Sequence, residues 1–66
     1  MGFKVKEIRE SKGMTQEELE EKSGISRQTI SAIENGKKTD VKSGTMIALA
    51  RALGASIDEI FFDQAG

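Results

Sequence analysis

Apolar positions along this chain recur at intervals of three and four, the spacing at which side chains stack on one face of an α-helix. Val5 and Ile8, with Phe3 ahead of them, mark a first helix from Phe3 or Lys4 to Lys12, and Gly13 stands where its C-terminal cap belongs. Thr15 is followed three residues on by Glu18. At that spacing the Thr hydroxyl accepts from the Glu amide and the Glu carboxylate reaches back to the Thr amide, which is a capping box. A second helix of about two turns therefore starts after Thr15, with Met14 and Leu19 placed as a hydrophobic staple. Gly24 ends it, because glycine enters the left-handed region cheaply. Ile25 is apolar and Ser26 offers a fresh cap, so a third helix begins at once. Ile30 and Ile33 form its apolar stripe, Glu34 lies on the edge of that stripe, and Asn35-Gly36 stops it.

The stretch Lys37–Ser43, KKTDVKS, is a polar connection in which Val41 alone is apolar and tucks inward. A fourth helix follows from about Thr45 to Leu53. Met46, Ile47, Leu49, Ala50 and Leu53 spread over a broad arc of it, so it is expected to be the most buried helix. Gly54 caps it. Ser56 and Glu59 repeat the capping-box spacing and open a short fifth helix, on which Ile57, Ile60 and Phe61 close the core. Phe62 points elsewhere, either covering the edge of the core or anchoring a second subunit. Residues 1–3 are expected to be loose.

Composition narrows the picture. Sixty-six residues suit one domain spanning 1–66, with a core that is marginal unless its helices pack well or the chain dimerises. The chain has no proline and few β-branched runs, which favours an all-α fold. It has no cysteine and no histidine, so disulfides and ordinary zinc sites are excluded and no cofactor is expected. No signal peptide or long apolar span appears, so a cytoplasmic location and no membrane partner are expected. The net charge of −1 argues against indiscriminate nucleic-acid binding. Its distribution says more. Residues 1–12 carry +2, residues 13–24 carry −3, residues 25–45 carry +2 and the remainder −2. Basic charge therefore flanks the third helix on both sides while acid sits elsewhere, a pattern that permits a local phosphate footprint on an otherwise acidic protein.

The outward face of the third helix is the unusual feature. Gln28, Ser31, Ala32 and Asn35 lie opposite the isoleucine stripe, and Arg27 near the start is the only charge there. A merely solvated face would carry more Lys and Glu. A row of short polar side chains offers paired donors and acceptors with room for close approach. That is what reading base edges in the major groove requires: Gln bonds bidentately to adenine, Arg to guanine, and an Ala methyl meets the thymine methyl.

The run Thr15–Lys37, TQEELEEKSGISRQTISAIENGK, resembles the helix-turn-helix of the Cro/repressor-type, Xre-type or lambda-repressor-like DNA-binding family, and the likeness extends from Val5 to Phe61. The resemblance implies a compact five-helix fold with its helix-turn-helix at 15–36, and a sequence-specific transcriptional regulator of double-stranded DNA, usually a repressor. It implies that the first motif helix lies across the DNA backbone while the second enters the major groove. Carried over residue by residue, Arg27, Gln28, Ser31 and Ala32 face bases. Thr15, Gln16, Thr29, Asn35, Lys37 and Lys38 hold phosphates, with Gln16 also able to buttress Gln28. It further implies an Arg9–Glu34 ion pair tying the first helix to the end of the third. One such unit covers about half a turn of DNA, so a homodimer on a two-fold symmetric operator is expected, through the C-terminal helices and with Phe62 as a candidate contact.

Two departures from the family pattern stand out. Glu20 occupies a place where the family usually has alanine, packed between the motif helices. Its carboxylate either snorkels to solvent or pairs with Arg27. Ser43-Gly44 replaces the usual proline-containing entry to the fourth helix, so that boundary is open. Rival functions are an antitoxin or protein-interaction adaptor of the same fold, for which the acidic second helix would be the partner surface, or a helical module without a ligand. An enzyme is not expected: Glu17 and Glu21 share a helix face, but nothing in the sequence suggests a cleft that would perturb them.

Overall fold

The computed structural model describes residues 3–62. Its helices are α1 (Val5–Ser11), α2 (Gln16–Ser23), α3 (Arg27–Glu34) and α4 (Ser43–Leu53), followed by a π-helical turn, Asp58–Phe62. No strand occurs among the described residues. The all-α architecture is as expected.

Local chemistry sets most of the boundaries. The Glu18 amide donates to Thr15 Oγ1 at 3.1 Å and the Thr15 amide donates to Glu18 Oε1 at 2.9 Å, completing the capping box of α2. Ser56 and Glu59 exchange the same pair of bonds at 3.0 and 3.1 Å. Gly24 has φ +78° at the end of α2, and nothing lies within 4 Å of where its Cβ would be. The demand for glycine there is thus conformational rather than steric.

The helices enclose one core. Val5 comes from α1, Leu19 from α2, Ile30 and Ile33 from α3, and Leu49, Ala50 and Leu53 from α4. Val41, Ile60 and Phe61 complete it from the segments outside those helices. The α2 helix packs against both α3 and α4, while α1 touches α3, α4 and the terminal turn. Burying each of the isoleucines of α3 contributes roughly 1.5–3 kcal/mol. Together they fix which side of that helix faces outward. Met14 and Ile25 pack half-buried against the same core.

Several details differ from the sequence reading. The first helix starts at Val5, and Phe3, expected to be loose, packs edge-on against Phe61 with ring centroids 4.9 Å apart. The Lys4 amide donates to the Ile60 carbonyl at 2.9 Å, so the two ends of the described chain are joined by backbone as well as by rings. Met1 and Gly2, also expected to be loose, lie outside the described residues. The α4 helix begins at Ser43 rather than Thr45: buried Val41 holds Lys42 extended, and the Lys42 carbonyl then accepts the Met46 amide at 3.0 Å. Its apolar arc is wider than its neighbours cover, so Ile47, expected inside, is 43% exposed. Even so, α4 buries more side chains than any other described helix. The expected fifth helix is a π-helical turn; Ile60 and Phe61 are buried in it, Ile57 half-buried, and Phe62 is 57% exposed.

Candidate nucleic-acid interface

The outward face of α3 is held from behind by a polar cluster as well as by the core. Arg9 of α1 is buried, with only 8% of its surface exposed. Its Nε donates to Glu34 Oε2 at 2.8 Å, its Nη2 to Glu34 Oε1 at 3.2 Å, and its Nη1 to the Met14 carbonyl at 2.7 Å. The Glu34 side chain is 2% exposed and also accepts from Gln16 Nε2 at 2.9 Å. The ion pair expected between Arg9 and Glu34 is present, and it is bidentate. It joins α1, the loop at Met14, the start of α2 and the end of α3. Hydrogen bonding to Glu34, then the charges of Glu34 and Glu10, raise the Arg9 pKa, with burial opposing them. Because the shift is upward, the cation is kept at every lower pH and is lost only as pH rises through an already very high value.

Four amides of the turn between α2 and α3 find acceptors within it. The Glu20 carbonyl accepts from the Gly24 amide at 2.8 Å. Ser23 Oγ accepts from the Ile25 amide at 3.0 Å, and Ser26 Oγ from the Thr29 amide at 3.2 Å. Glu20 Oε2 accepts from the Arg27 amide at 3.1 Å. Glu20 therefore meets Arg27, but through its backbone: among the described residues the Arg27 guanidinium makes no ion pair. The carboxylate is therefore engaged rather than free in solvent. Of the two roles the sequence left open for Glu20, solvent exposure or a charge pair with Arg27, neither is the one observed. The acceptor role at the first amide of α3 depends on the turn geometry.

On the exposed side, Arg27 and Gln28 project from the first turn of α3, and neither side chain is buried. Ser31 and Ala32 are half-buried. Asn35 Nδ2 donates to Ser31 Oγ at 3.3 Å, continuing the same polar row to the end of the helix. Thr29 Oγ1 accepts from Ser26 Oγ at 3.0 Å. Lys37 is exposed, and Lys38 is loosely paired to Asp40 at 3.6 Å, with the Asp40 side chain 92% exposed. So open a pair is held weakly and yields to a stronger anion. Arg27 lines, together with Arg9 and Glu10 of α1, Met14 of the loop, and Thr15, Gln16 and Glu17, an open groove of about 480 Å³. Arg27, Thr15 and Gln16 thus share the wall of one open groove. Gln16, expected also to buttress Gln28, has its amide on Glu34 instead.

A helix, a tight glycine turn, and a second helix backed by isoleucines with a polar, exposed first turn make up a helix-turn-helix. The family model described as helix-turn-helix matches residues 5–60. The chain belongs to the lambda-repressor-like (Xre-type) helix-turn-helix family. Its relatives are spread across bacteria and archaea. An uncharacterized HTH-type transcriptional regulator of Methanocaldococcus jannaschii is 43% identical over 61 residues, covering 92% of this chain and 91% of that one. The uncharacterized HTH-type transcriptional regulator y4dJ of Sinorhizobium fredii is 40% identical over 60 residues, covering 91% of this chain and 77% of the relative. The uncharacterized HTH-type transcriptional regulator YgzD of Bacillus subtilis is 38% identical over 64 residues, covering 94% and 92%. Among the described residues no helix is long and apolar enough to cross a membrane, and no group of acidic residues is placed to hold a metal ion.

Proposed function

We propose that this protein is a sequence-specific regulator of transcription, acting as a repressor, that inserts α3 into the major groove of double-stranded DNA. One observation carries the reading. The face of α3 opposite buried Ile30 and Ile33 is accessible, nearly free of charge, and bears Gln28 exposed at the first turn. Gln28, with Ser31 and Ala32 behind it, reads base edges. Thr29, Asn35, Lys37 and Lys38 hold the strand beyond α3. The first turn of α2 seats the other strand through the Gln16 and Glu17 amides, which the capping box of Thr15 and Glu18 leaves open. Arg27, on the groove it shares with Thr15 and Gln16, reinforces that second strand or reaches a guanine at the groove's edge. Selection from random duplex tests the reading. A two-fold symmetric motif with half-sites about 10 base pairs apart is the expected result, and enrichment of no sequence would refute it. In the cell such a protein works at the DNA, in the cytoplasm.

The symmetric operator calls for two copies. The exposed Phe62 at the end of the terminal turn supplies an aromatic anchor of the kind enriched at interface centres. Sedimentation at micromolar concentration is expected to show a dimer that Phe62→Ala shifts toward monomer. Lys38→Ala is expected to weaken all sequences alike and to flatten the slope of log affinity against log salt by about one unit, since one phosphate contact is lost. An unchanged slope would remove Lys38 from the footprint. The rival reading, an antitoxin or adaptor using the exposed Glu17 and Glu21 of α2, predicts instead a protein partner captured without DNA.

A further inference from the structure

We propose that Glu20 sets how strongly this protein discriminates its operator from bulk DNA, by occupying the amino end of the reading helix; the inference rests on the DNA-binding reading above. A helix amino terminus carries about half a positive charge and exposed amides, and it ordinarily welcomes a phosphate. In α3 two of the three first-turn amides are already engaged, and only that of Gln28 stays open. The Arg27 amide donates to Glu20 Oε2 and the Thr29 amide to Ser26 Oγ. A formal negative charge thus stands next to Arg27 and Gln28, the residues that project toward a duplex. A phosphate drawn to this end finds the amide of Arg27 engaged and meets a like charge.

The consequence differs between the two ways of binding DNA. Sequence-independent binding draws essentially all its affinity from phosphate contacts. Base edges carry no formal charge, so a correctly seated Gln28 is penalised far less. A carboxylate at this place therefore weakens bulk binding by a larger factor than operator binding, which is discrimination by repulsion. Glu20 also brackets the turn: its carbonyl takes the Gly24 amide and its carboxylate the Arg27 amide, so α3 is held to α2 at its reading end. Glu20 is a positioning residue and needs no contact with DNA. An alanine at this position would supply neither the charge nor the tether.

The experiment compares wild type, Glu20→Gln and Glu20→Ala for affinity to the selected operator and to a random-sequence duplex at one salt concentration. Hydrogen exchange at the Arg27 amide and thermal unfolding are measured alongside. Glu20→Gln keeps an acceptor for that amide and removes the charge, so exchange is expected to stay slow. Random-duplex affinity is expected to rise about two- to five-fold, in the range of a single exposed charge pair. The operator-to-random ratio falls correspondingly. Glu20→Ala is expected to speed exchange at Arg27 and to lower the ratio at least as far. A residue serving only as a helix cap would leave random-duplex affinity unmoved in the Gln variant, and that result would overturn the proposal. Wild type binding neither duplex would instead sink the DNA-binding reading and this inference with it. Wild type binding both, with an unchanged ratio in the two variants, would sink this inference alone.

Discussion

Glu34→Ala is expected to destabilise the protein by about 3–5 kcal/mol, because it leaves the buried Arg9 guanidinium without its carboxylate. A chain of this length has only about 3–10 kcal/mol of stability in total, so the variant should be largely unfolded at room temperature or close to it. Three bonds into Glu34 are lost together: two from Arg9 and one from Gln16. The bond from Arg9 to the Met14 carbonyl survives and offsets only part of the loss. Urea unfolding followed by circular dichroism measures the effect, and a midpoint within error of wild type would show that the pair is solvated. A double replacement, Arg9→Met with Glu34→Leu, separates the two roles of the pair. Apolar side chains of similar size are expected to recover most of the stability, since a buried ion pair adds little net free energy over good packing. DNA affinity should recover less, because the bidentate geometry that joins the end of α3 to the start of α2 is gone. Equal recovery of both properties would show that the pair does not orient the reading helix.

Gln28→Ala is expected to cost about 1–3 kcal/mol on the selected operator, roughly a five- to 150-fold loss, and to relax preference at a single base pair. Stability should be unchanged, because Gln28 is exposed and its side chain makes no hydrogen bond among the described residues. Affinity for random duplex should hardly move, since no phosphate contact is removed. The measurement is a binding titration on the operator and on each single-base variant of it. An unchanged profile at every position would show that α3 is not read through Gln28, and attention would pass to Ser31 and Ala32. A uniform loss on all sequences would instead make Gln28 a backbone contact.

The fold was largely legible because its instructions are local. A capping box needs only Thr15 and Glu18 three residues apart, and a left-handed turn needs only Gly24 between two helical patterns. The spacing of Ile30 and Ile33 was enough to decide which face of α3 is buried, and hence that Gln28 faces out. The Arg9–Glu34 pair was visible only through the family resemblance, since nothing in a separation of 25 residues marks two charges as partners. The α4 helix starts two residues before the expected Thr45, at a boundary the sequence had left open because Ser43-Gly44 stands in place of the family's usual entry.

By itself the sequence determined the helices, their caps and the outward row of small polar side chains, since each depends on residues within a turn or two of one another. Only the tertiary structure decided what those polar groups bind inside the molecule: that Gln16 turns to Glu34, that Arg27 joins Thr15 and Gln16 on one groove, and that Glu20 accepts the first amide of α3. Hydrogen bonds between elements depend on distances of a few ångströms set by how the helices pack, and a linear pattern of residue types carries no such distances.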